Sequence, residues 1–197
     1  MQQLIHFDKE FFKLVNGQWT NPFFDWIMPW LRNSNMWIPF YVFLGLLIAF
    51  NFKKQAFWII AFGIITIILT DGISSKIIKP YFDRLRPFND PDIGSMVRFL
   101  LPYRPGSGSF TSSHATNHFG LAMYLYLALK KYFGKWMLLL FVWAFLICYA
   151  QVYVGVHFPG DVMGGAILGC LIGYGTAYIL NRFTAEKLNQ PSSFPTS

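Results

Sequence analysis

Long apolar stretches separated by short polar connections run through most of the 197-residue chain. We predict that five of them are membrane-crossing helices, because a crossing helix needs about 20 mostly apolar residues. They fall at residues 36–52, 55–75, 110–129, 136–156 and 162–181. The fifth carries Gly165, Gly169 and Gly173, a spacing that lets a neighbouring helix approach closely. The pattern predicts an all-α integral membrane helical bundle with five transmembrane helices.

The first 35 residues follow a different pattern. Leu4, Phe7 and Phe11 recur at helical spacing, which is typical of an amphipathic helix on a membrane surface, and residues 23–31 repeat this more briefly. Neither segment is long enough to cross. We therefore expect N-terminal interfacial helices over 1–35, a transmembrane core over 36–182, and a disordered Pro- and Ser-rich tail over 183–197.

The charge distribution supports a membrane protein. Hydrophobic residues make up 54% of the chain and charged residues 13%, and the net charge is +7. The basic residues are scattered between apolar runs, so they indicate membrane topology rather than a nucleic-acid partner. Lysines and arginines at 53–54, at 130–135 and after the fifth span predict that those connections face the cytoplasm. In a bacterial inner membrane, the long 76–109 connection would then face the periplasm or exterior.

Three polar groups share this outer face if the chain crosses five times. They are the stretch from Lys79 to Arg86, the start of the third span at 111–114, and the turn from His157 to Asp161. Cationic side chains and the free N–H groups of a helix N-terminus both bind phosphate. A histidine beside a carboxylate is held in one tautomer and can act as a nucleophile. Singly these residues could be headgroup contacts or a helix cap, but together they favour phosphate chemistry.

Three short motifs carry a resemblance to a known family. Lys79 followed by Arg86-Pro87, with Arg84 between them, resembles the first signature of the type 2 phosphatidic acid phosphatase (PAP2) superfamily. Ser112-Ser113-His114 is similar to its second signature, and His157 with Asp161 to its third. The match covers about 57–180 and points to the membrane lipid phosphatase branch.

The resemblance implies a role for each motif residue. His157 would be the nucleophile that forms a phosphohistidine, Asp161 its orienting partner, and His114 the general acid. The substrate phosphate would be held by a larger set of residues, namely Lys79, Arg84, Arg86, Ser112 and Ser113.

One position departs from the family pattern. The third signature normally opens with Ser-Arg, and Ala150 and Gln151 stand there in this chain. One phosphate-binding arginine is therefore missing. Either Arg98 or Arg104 replaces it, or the enzyme is slow or unusually selective.

The resemblance implies chemistry without a metal or another cofactor. His114 and His118 have a spacing that suits a metal on one helix face, but no third ligand at a suitable spacing is evident. Asp71 lies inside an apolar span, where it either pairs with Lys76 or forms a hydrogen bond with a neighbouring helix.

The sequence thus predicts a hydrolase that acts on a phosphorylated lipid partner within the membrane. Undecaprenyl diphosphate, phosphatidylglycerol phosphate, phosphatidic acid and lipid A phosphates are the candidate substrates. Two alternatives come from other classes: a lipid-binding relative without activity, suggested by Gln151, and a small transporter, suggested by Asp71.

Overall fold

The computed structural model describes the backbone of residues 2–189 and the side chains of residues 2–184. Within that part the secondary structure is entirely helical, with no strand, which confirms the all-α part of the predicted fold class. The α-helices in chain order are α1 (Gln2–Lys13), α2 (Pro22–Leu31), α3 (Ile38–Phe52), α4 (Lys54–Gly72), α5 (Lys79–Phe82), α6 (Ser113–Phe133), α7 (Leu139–Tyr153) and α8 (Pro159–Asn189). Short π-helical turns follow α1 (Leu14–Gln18) and α4 (Ile73–Ile78). Brief 3-10 segments lie at Ser34–Trp37, Pro87–Asn89, Gly94–Met96 and Gly134–Leu138.

The structure does not show the predicted five crossing helices as five separate helical runs. Four helical runs of the described chain are long and apolar enough to cross a membrane: Ser34–Phe52, Lys54–Asn89, Ser113–Tyr153 and Pro159–Thr184. The predicted third and fourth spans lie together in the third run. They are joined in one run because only a 3-10 turn, Gly134–Leu138, separates α6 from α7. Gly134 begins that turn with a φ of 57°, a value that favours glycine.

Two helices do form within the N-terminal 35 residues. Asn21 caps α2 by accepting a hydrogen bond from Phe24 N at 2.9 Å, and Pro22 occupies the first turn, where its missing N–H has no cost. Apolar residues of both helices remain exposed, among them Phe7, Trp26 and Trp30. Their position on a membrane surface remains a prediction.

The inner sides of α1 and α2 pack over the end of α7. Phe12 and Met28 are buried in one cluster with Tyr153, Val156 and Phe158. Phe12 meets Phe158 edge to face, with ring centroids 5.5 Å apart. The N-terminal helices therefore lie directly beside the turn that holds His157.

Helices α6 and α8 pack with their backbones in contact. A methyl group at Gly169 would collide with Thr116 O and Gly120 N, and one at Gly173 with Gly120 O. This confirms the prediction that the glycine stripe admits a close neighbour. The two helices run parallel, so their N-termini meet, and Ser112 N donates to Asp161 O at 3.0 Å.

The C-terminal end of α4 reaches the same place. Ser74 Oγ, in the π-helical turn after α4, lies 3.0 Å from Thr111 Oγ1 and 3.1 Å from Ser113 Oγ. The end of α4, the start of α6, the end of α7 and the start of α8 are thus adjacent. The three polar groups of the sequence are brought to one end of the bundle, as predicted.

The last helix extends further than expected. The predicted tail, 183–197, begins inside α8, which continues to Asn189. The segment after Phe183 contains no glycine or proline before Pro191, so nothing in it interrupts a helix. Residues 190–197 lie outside the described part of the chain.

Candidate active site

His157 and Asp161 lie at the start of α8, and both are almost fully buried. Asp161 belongs to the first turn of α8, where a carboxylate is favoured by the positive end of the helix dipole. His157 Nδ1 is 3.5 Å from Asp161 Oδ2. That distance allows electrostatic attraction but exceeds an ordinary hydrogen bond.

Ser109 bridges these two side chains. Its Oγ lies 2.5 Å from Asp161 Oδ2 and 3.4 Å from His157 Nδ1. Asp161 Oδ2 also accepts a hydrogen bond from Phe158 N at 2.8 Å. Sequence analysis missed Ser109, because it lies 48 residues from His157 in a loop without a recognised motif.

Arg86 determines which nitrogen of His157 is free to react. Arg86 Nη1 lies 3.2 Å from His157 Nε2. Because a guanidinium can only donate hydrogen bonds, Nε2 must be the acceptor in this contact. The proton of the neutral imidazole is then on Nδ1, facing Ser109 and Asp161, and the lone pair of Nε2 faces the cation.

Burial keeps His157 neutral. Loss of solvent lowers the pKa of His157 to about 4; the nearby carboxylate of Asp161 raises this pKa and the positive charge of Arg86 lowers it. The imidazole of His157 is therefore mainly neutral at pH 7.

Lys79 and Arg86 are the buried cations of the site. Lys79 Nζ donates to Gly108 O at 2.9 Å. Arg86 donates to Val156 O at 3.0 Å, to Ser107 O at 2.8 Å and to Ser107 Oγ at 3.1 Å. All these acceptors are neutral. Neither cation forms an ion pair with a carboxylate of the described side chains, and their predicted contact with a phosphate remains a prediction.

Arg84 is placed differently from the other predicted phosphate-binding residues. Its Nη1 donates to Asp161 Oδ1 at 2.8 Å and its Nη2 to Asp8 Oδ2 at 2.6 Å. Two carboxylates therefore neutralise Arg84, and its guanidinium also lies over the Phe158 ring, 4.3 Å from the centroid. The structure assigns it contacts that orient Asp161. Asp8, in α1, is a second residue that sequence analysis missed.

The serines of the second motif bond to protein groups. Ser112 Oγ accepts from Ala115 N at 3.5 Å and so caps α6. Ser113 Oγ lies 3.1 Å from Ser74 Oγ and 3.0 Å from Ser75 Oγ, towards the end of α4. Their predicted contact with a phosphate remains a prediction.

His114 is the second residue of α6 and is half-buried. It is close enough to His157 and Lys79 to interact with them electrostatically. His118, one turn later, is fully engaged: its Nδ1 lies 2.7 Å from His114 O, and its Nε2 lies 3.0 Å from Tyr41 OH. Neither nitrogen of His118 is free to bind a metal. Among the described residues no group of three or more His, Cys, Asp and Glu side chains is arranged to share a metal ion.

Asp71 contacts a neighbouring helix rather than Lys76. Its Oδ1 accepts from Asn117 Nδ2, in α6, at 3.3 Å and from Ser75 Oγ at 3.4 Å. Of the two contacts considered for Asp71, the hydrogen bond between helices is the one present. These bonds join the end of α4 to α6.

Neither arginine considered as a replacement at position 151 reaches the site. Arg98 Nη2 donates to Asp25 Oδ2 at 2.6 Å, and Arg104 lies over the rings of Phe88 and Phe99. Gln151 Oε1 instead accepts from Arg32 Nε at 3.2 Å, a contact across 119 residues of sequence. The proposed replacement by Arg98 or Arg104 is therefore wrong.

An apolar cavity of about 480 Å³ opens between α3, α4 and α6. Most of its lining is aliphatic, including Leu44, Ile48 and Ile64. His118 and Asn117 also line it, next to His114 on the same helix. An apolar chain could therefore lie in this cavity with its polar end near the site.

Comparison with known proteins was made on both sequence and structure. Residues 56–185 match the PAP2 superfamily. The chain is 33% identical over 170 residues to a lipid A 4'-phosphatase of Bacteroides thetaiotaomicron, covering 84% of this chain and 74% of that protein. It is 31% identical over 193 residues to an undecaprenyl-diphosphatase of Sulfolobus acidocaldarius, covering 96% and 86%. The crystal structure of Aquifex aeolicus LpxE superimposes with a TM-score of 0.60 at 26% identity, covering 86% of this chain and 93% of that one.

Proposed function

The chain belongs to the PAP2 superfamily, and we propose that it hydrolyses a phosphate ester or diphosphate of a membrane lipid with His157 as nucleophile. It is an integral membrane phosphatase related to enzymes that act on phosphorylated lipids. The observation that carries the catalytic proposal is the contact between His157 Nε2 and Arg86 at 3.2 Å, which supports an unprotonated nitrogen beside a cation proposed to bind phosphate.

The reaction proceeds in two steps. The lone pair of His157 Nε2 attacks phosphorus, a P–N bond forms, and the P–O bond to the lipid breaks. His114, which holds a second proton beside the bound anionic phosphate, gives that proton to the departing oxygen. Asp161, with Ser109, stabilises the positive charge that then develops on the imidazole. In the second step water attacks phosphorus, His114 takes its proton, and the P–N bond breaks to release phosphate.

Lys79 and Arg86 bind the phosphoryl oxygens during both steps. Negative charge is spread over the three equatorial oxygens in the transition state, and fixed buried cations stabilise it without reorganising. Arg84 holds Asp161 in position. Ser112 and Ser113 lie at the N-terminus of α6, whose free N–H groups add to the positive potential.

A lipid is the proposed substrate class because the apolar cavity between α3, α4 and α6 leads to this end of the bundle. It would accept part of the hydrocarbon chain while the phosphate enters between His114 and His157. Lipid A 4'-phosphate is the first candidate substrate, since two of the relatives that match most of the chain are lipid A 4'-phosphatases. Undecaprenyl diphosphate, phosphatidylglycerol phosphate and phosphatidic acid remain in the test panel.

Five crossings remain the proposed topology. A straight helix of 41 residues would be about 60 Å long, roughly twice the ~30 Å of a hydrocarbon core. Helix α6 packs against α7, which supports a run that folds back at Gly134 and crosses twice. The site would then face the periplasm or exterior of an inner membrane, with α1 and α2 at the interface.

The test is phosphate release by purified protein in detergent from each of the four lipids. At least one lipid should be hydrolysed by the parent, and activity should survive chelation with EDTA. The His157→Gln variant should lose at least ~10³-fold in kcat, and ³²P should be trapped on the parent but not on this variant.

A matched control keeps the test specific. His6→Gln changes an exposed histidine of α1 and should leave turnover unchanged. Near-parental phosphate release by a folded His157→Gln variant would refute the assigned nucleophile, and no release from any lipid would refute the proposed activity.

A further inference from the structure

We infer that Arg32, at the end of α2, is a third phosphate-binding cation and replaces the arginine that the third motif lacks. This inference rests on the proposed function, because it assigns a further residue to the same phosphate site. It starts from the hydrogen bond that Arg32 Nε donates to Gln151 Oε1 at 3.2 Å.

Arg32 is buried in a way that requires an explanation. Only 6% of the Arg32 surface is accessible to solvent. A second side-chain hydrogen bond goes from its Nη1 to Tyr103 OH at 3.1 Å. No carboxylate among the described side chains lies within ion-pair distance of it. A buried charge without a counter-ion is strongly unfavourable, so an anion that binds beside it would be held tightly.

Two other cations of the site are in the same condition. The solvent-accessible fractions of Lys79 and Arg86 are 5% and 6%. Both side chains donate hydrogen bonds to neutral carbonyl groups of the described chain. Arg32 is close enough to Arg86 and His114 for its charge to act on both. Three buried positive charges therefore act on this part of the molecule, and the carboxylates of Asp8 and Asp161 are already paired with Arg84.

Gln151 supplies an independent observation. It is completely buried in α7, and its Nε2 has no hydrogen-bond partner among the described groups. A buried amide donor without a partner is costly unless a ligand or water completes it. A glutamine here therefore has two uses: its oxygen orients the Arg32 guanidinium, and its nitrogen is available to an anion held by that guanidinium.

The fold explains how a residue so distant in sequence can replace the arginine that the family pattern has at position 151. Arg32 follows the last turn of α2, which packs against α7. The negative end of the α2 dipole favours a cation at that position. A guanidinium that enters from α2 can thus occupy the space beside Gln151 that an arginine on α7 would otherwise fill.

The experiment moves the guanidinium from one helix to the other. The variants are Arg32→Gln, Gln151→Arg, and the double variant that combines both substitutions. Each is assayed for phosphate release from the best lipid and for binding of orthovanadate, an inorganic phosphate analogue, by calorimetry in detergent. Thermal unfolding is measured alongside to verify that each variant is folded.

Arg32→Gln should lower kcat by ~10²–10³-fold, the effect of removing one oxyanion donor, and should weaken vanadate binding at least tenfold. Gln151→Arg alone should bring no gain, because two guanidinium groups would then repel each other. The double variant should recover at least tenfold of the lost rate. Arg98→Gln, which removes a cation bound to Asp25, is the matched control and should keep vanadate binding.

Two results would overturn the inference. One is a folded Arg32→Gln protein that binds vanadate as the parent does; the other is a double variant no more active than Arg32→Gln. If Arg32→Gln does not fold, Arg32→Lys keeps the charge but loses the planar fork, and unchanged vanadate binding and turnover in that variant would also count against a bidentate contact. Vanadate binding that depends on Arg32 in a protein inactive on all four lipids would refute the proposed function alone.

Discussion

Asp8 in α1 accepts a hydrogen bond at 2.6 Å from Arg84, the residue that also donates to Asp161. The other oxygen of Asp8 accepts from Gly160 N at 2.7 Å. The N-terminal helix is thereby bonded to both the first motif and the first turn of α8. An element outside the three motifs thus helps to hold Asp161 in place.

We expect the Asp8→Asn substitution to destabilise the protein and to lower its kcat. Hydrogen bonds to charged groups contribute on the order of 1–3 kcal/mol, and the variant leaves Arg84 with one carboxylate instead of two. The thermal unfolding temperature in detergent and kcat should both be lower than in the parent. Glu10→Gln is the control, because Glu10 forms only an exposed pair with Lys13. Equal unfolding temperatures for the two variants would contradict a positioning role for Asp8.

Much of the site could be predicted because its polar residues interrupt apolar runs. Lys79, Arg86, His157 and Asp161 each lie at a span end, and counting crossings is enough to bring them to one face. The signal is local in sequence, and the structure keeps these residues together. The same reasoning gave five spans, since the polar connection near Lys135 predicts a loop; the structure has a 3-10 turn there, within one helical run.

The missed residues depend on packing that no local pattern records. Arg32, Asp8 and Ser109 reach the site across 119, 76 and 52 residues of sequence, to Gln151, Arg84 and Asp161 respectively. Their placement follows from how α1, α2 and the loop before α6 fold over the bundle. A missing arginine at Gln151 was visible in the sequence, but its replacement was not.

Ser109, identified from the structure, and Ser113, which belongs to the second motif, can be compared by mutation. Ser109→Ala removes the hydroxyl between Asp161 and His157, so we expect kcat to fall by roughly tenfold with little change in KM. Ser113→Ala removes contacts to Ser74 and Ser75 and should have the smaller effect on kcat. Steady-state kinetics on one lipid decides between them. A larger loss at Ser113 would support the direct phosphate contact that the second motif implies.

The buried His157 should make stability depend on pH. Its pKa is lowered by burial to about 4 in the folded protein, against about 6.5 when unfolded. The native state then binds fewer protons than the unfolded state between these values, so stability is full above pH 6.5 and is lost as the pH falls towards 4. The loss would be roughly 3 kcal/mol.

Unfolding temperatures of the parent and His157→Gln between pH 7 and 4 measure this loss. As the pH is lowered, the unfolding temperature of the parent should fall more steeply than that of His157→Gln. The His6→Gln variant, which is altered at an exposed site, should behave like the parent. Parallel curves for the parent and His157→Gln would show that His157 does not titrate with a lowered pKa.

Single cysteines can test how often the chain crosses the membrane. The background protein would have Cys148 and Cys170 replaced by serine or alanine, since both are free thiols. Lys54→Cys, Lys135→Cys and Asp92→Cys change exposed residues in three connections. If the run Ser113–Tyr153 folds back at Gly134, positions 54 and 135 should react with an impermeant maleimide from one side of sealed vesicles and position 92 from the other. The positive-inside pattern predicts that positions 54 and 135 are cytoplasmic, where they are protected in intact cells. Labelling of position 135 from the same side as position 92 would mean that α6 and α7 do not cross separately, and five crossings would then be wrong.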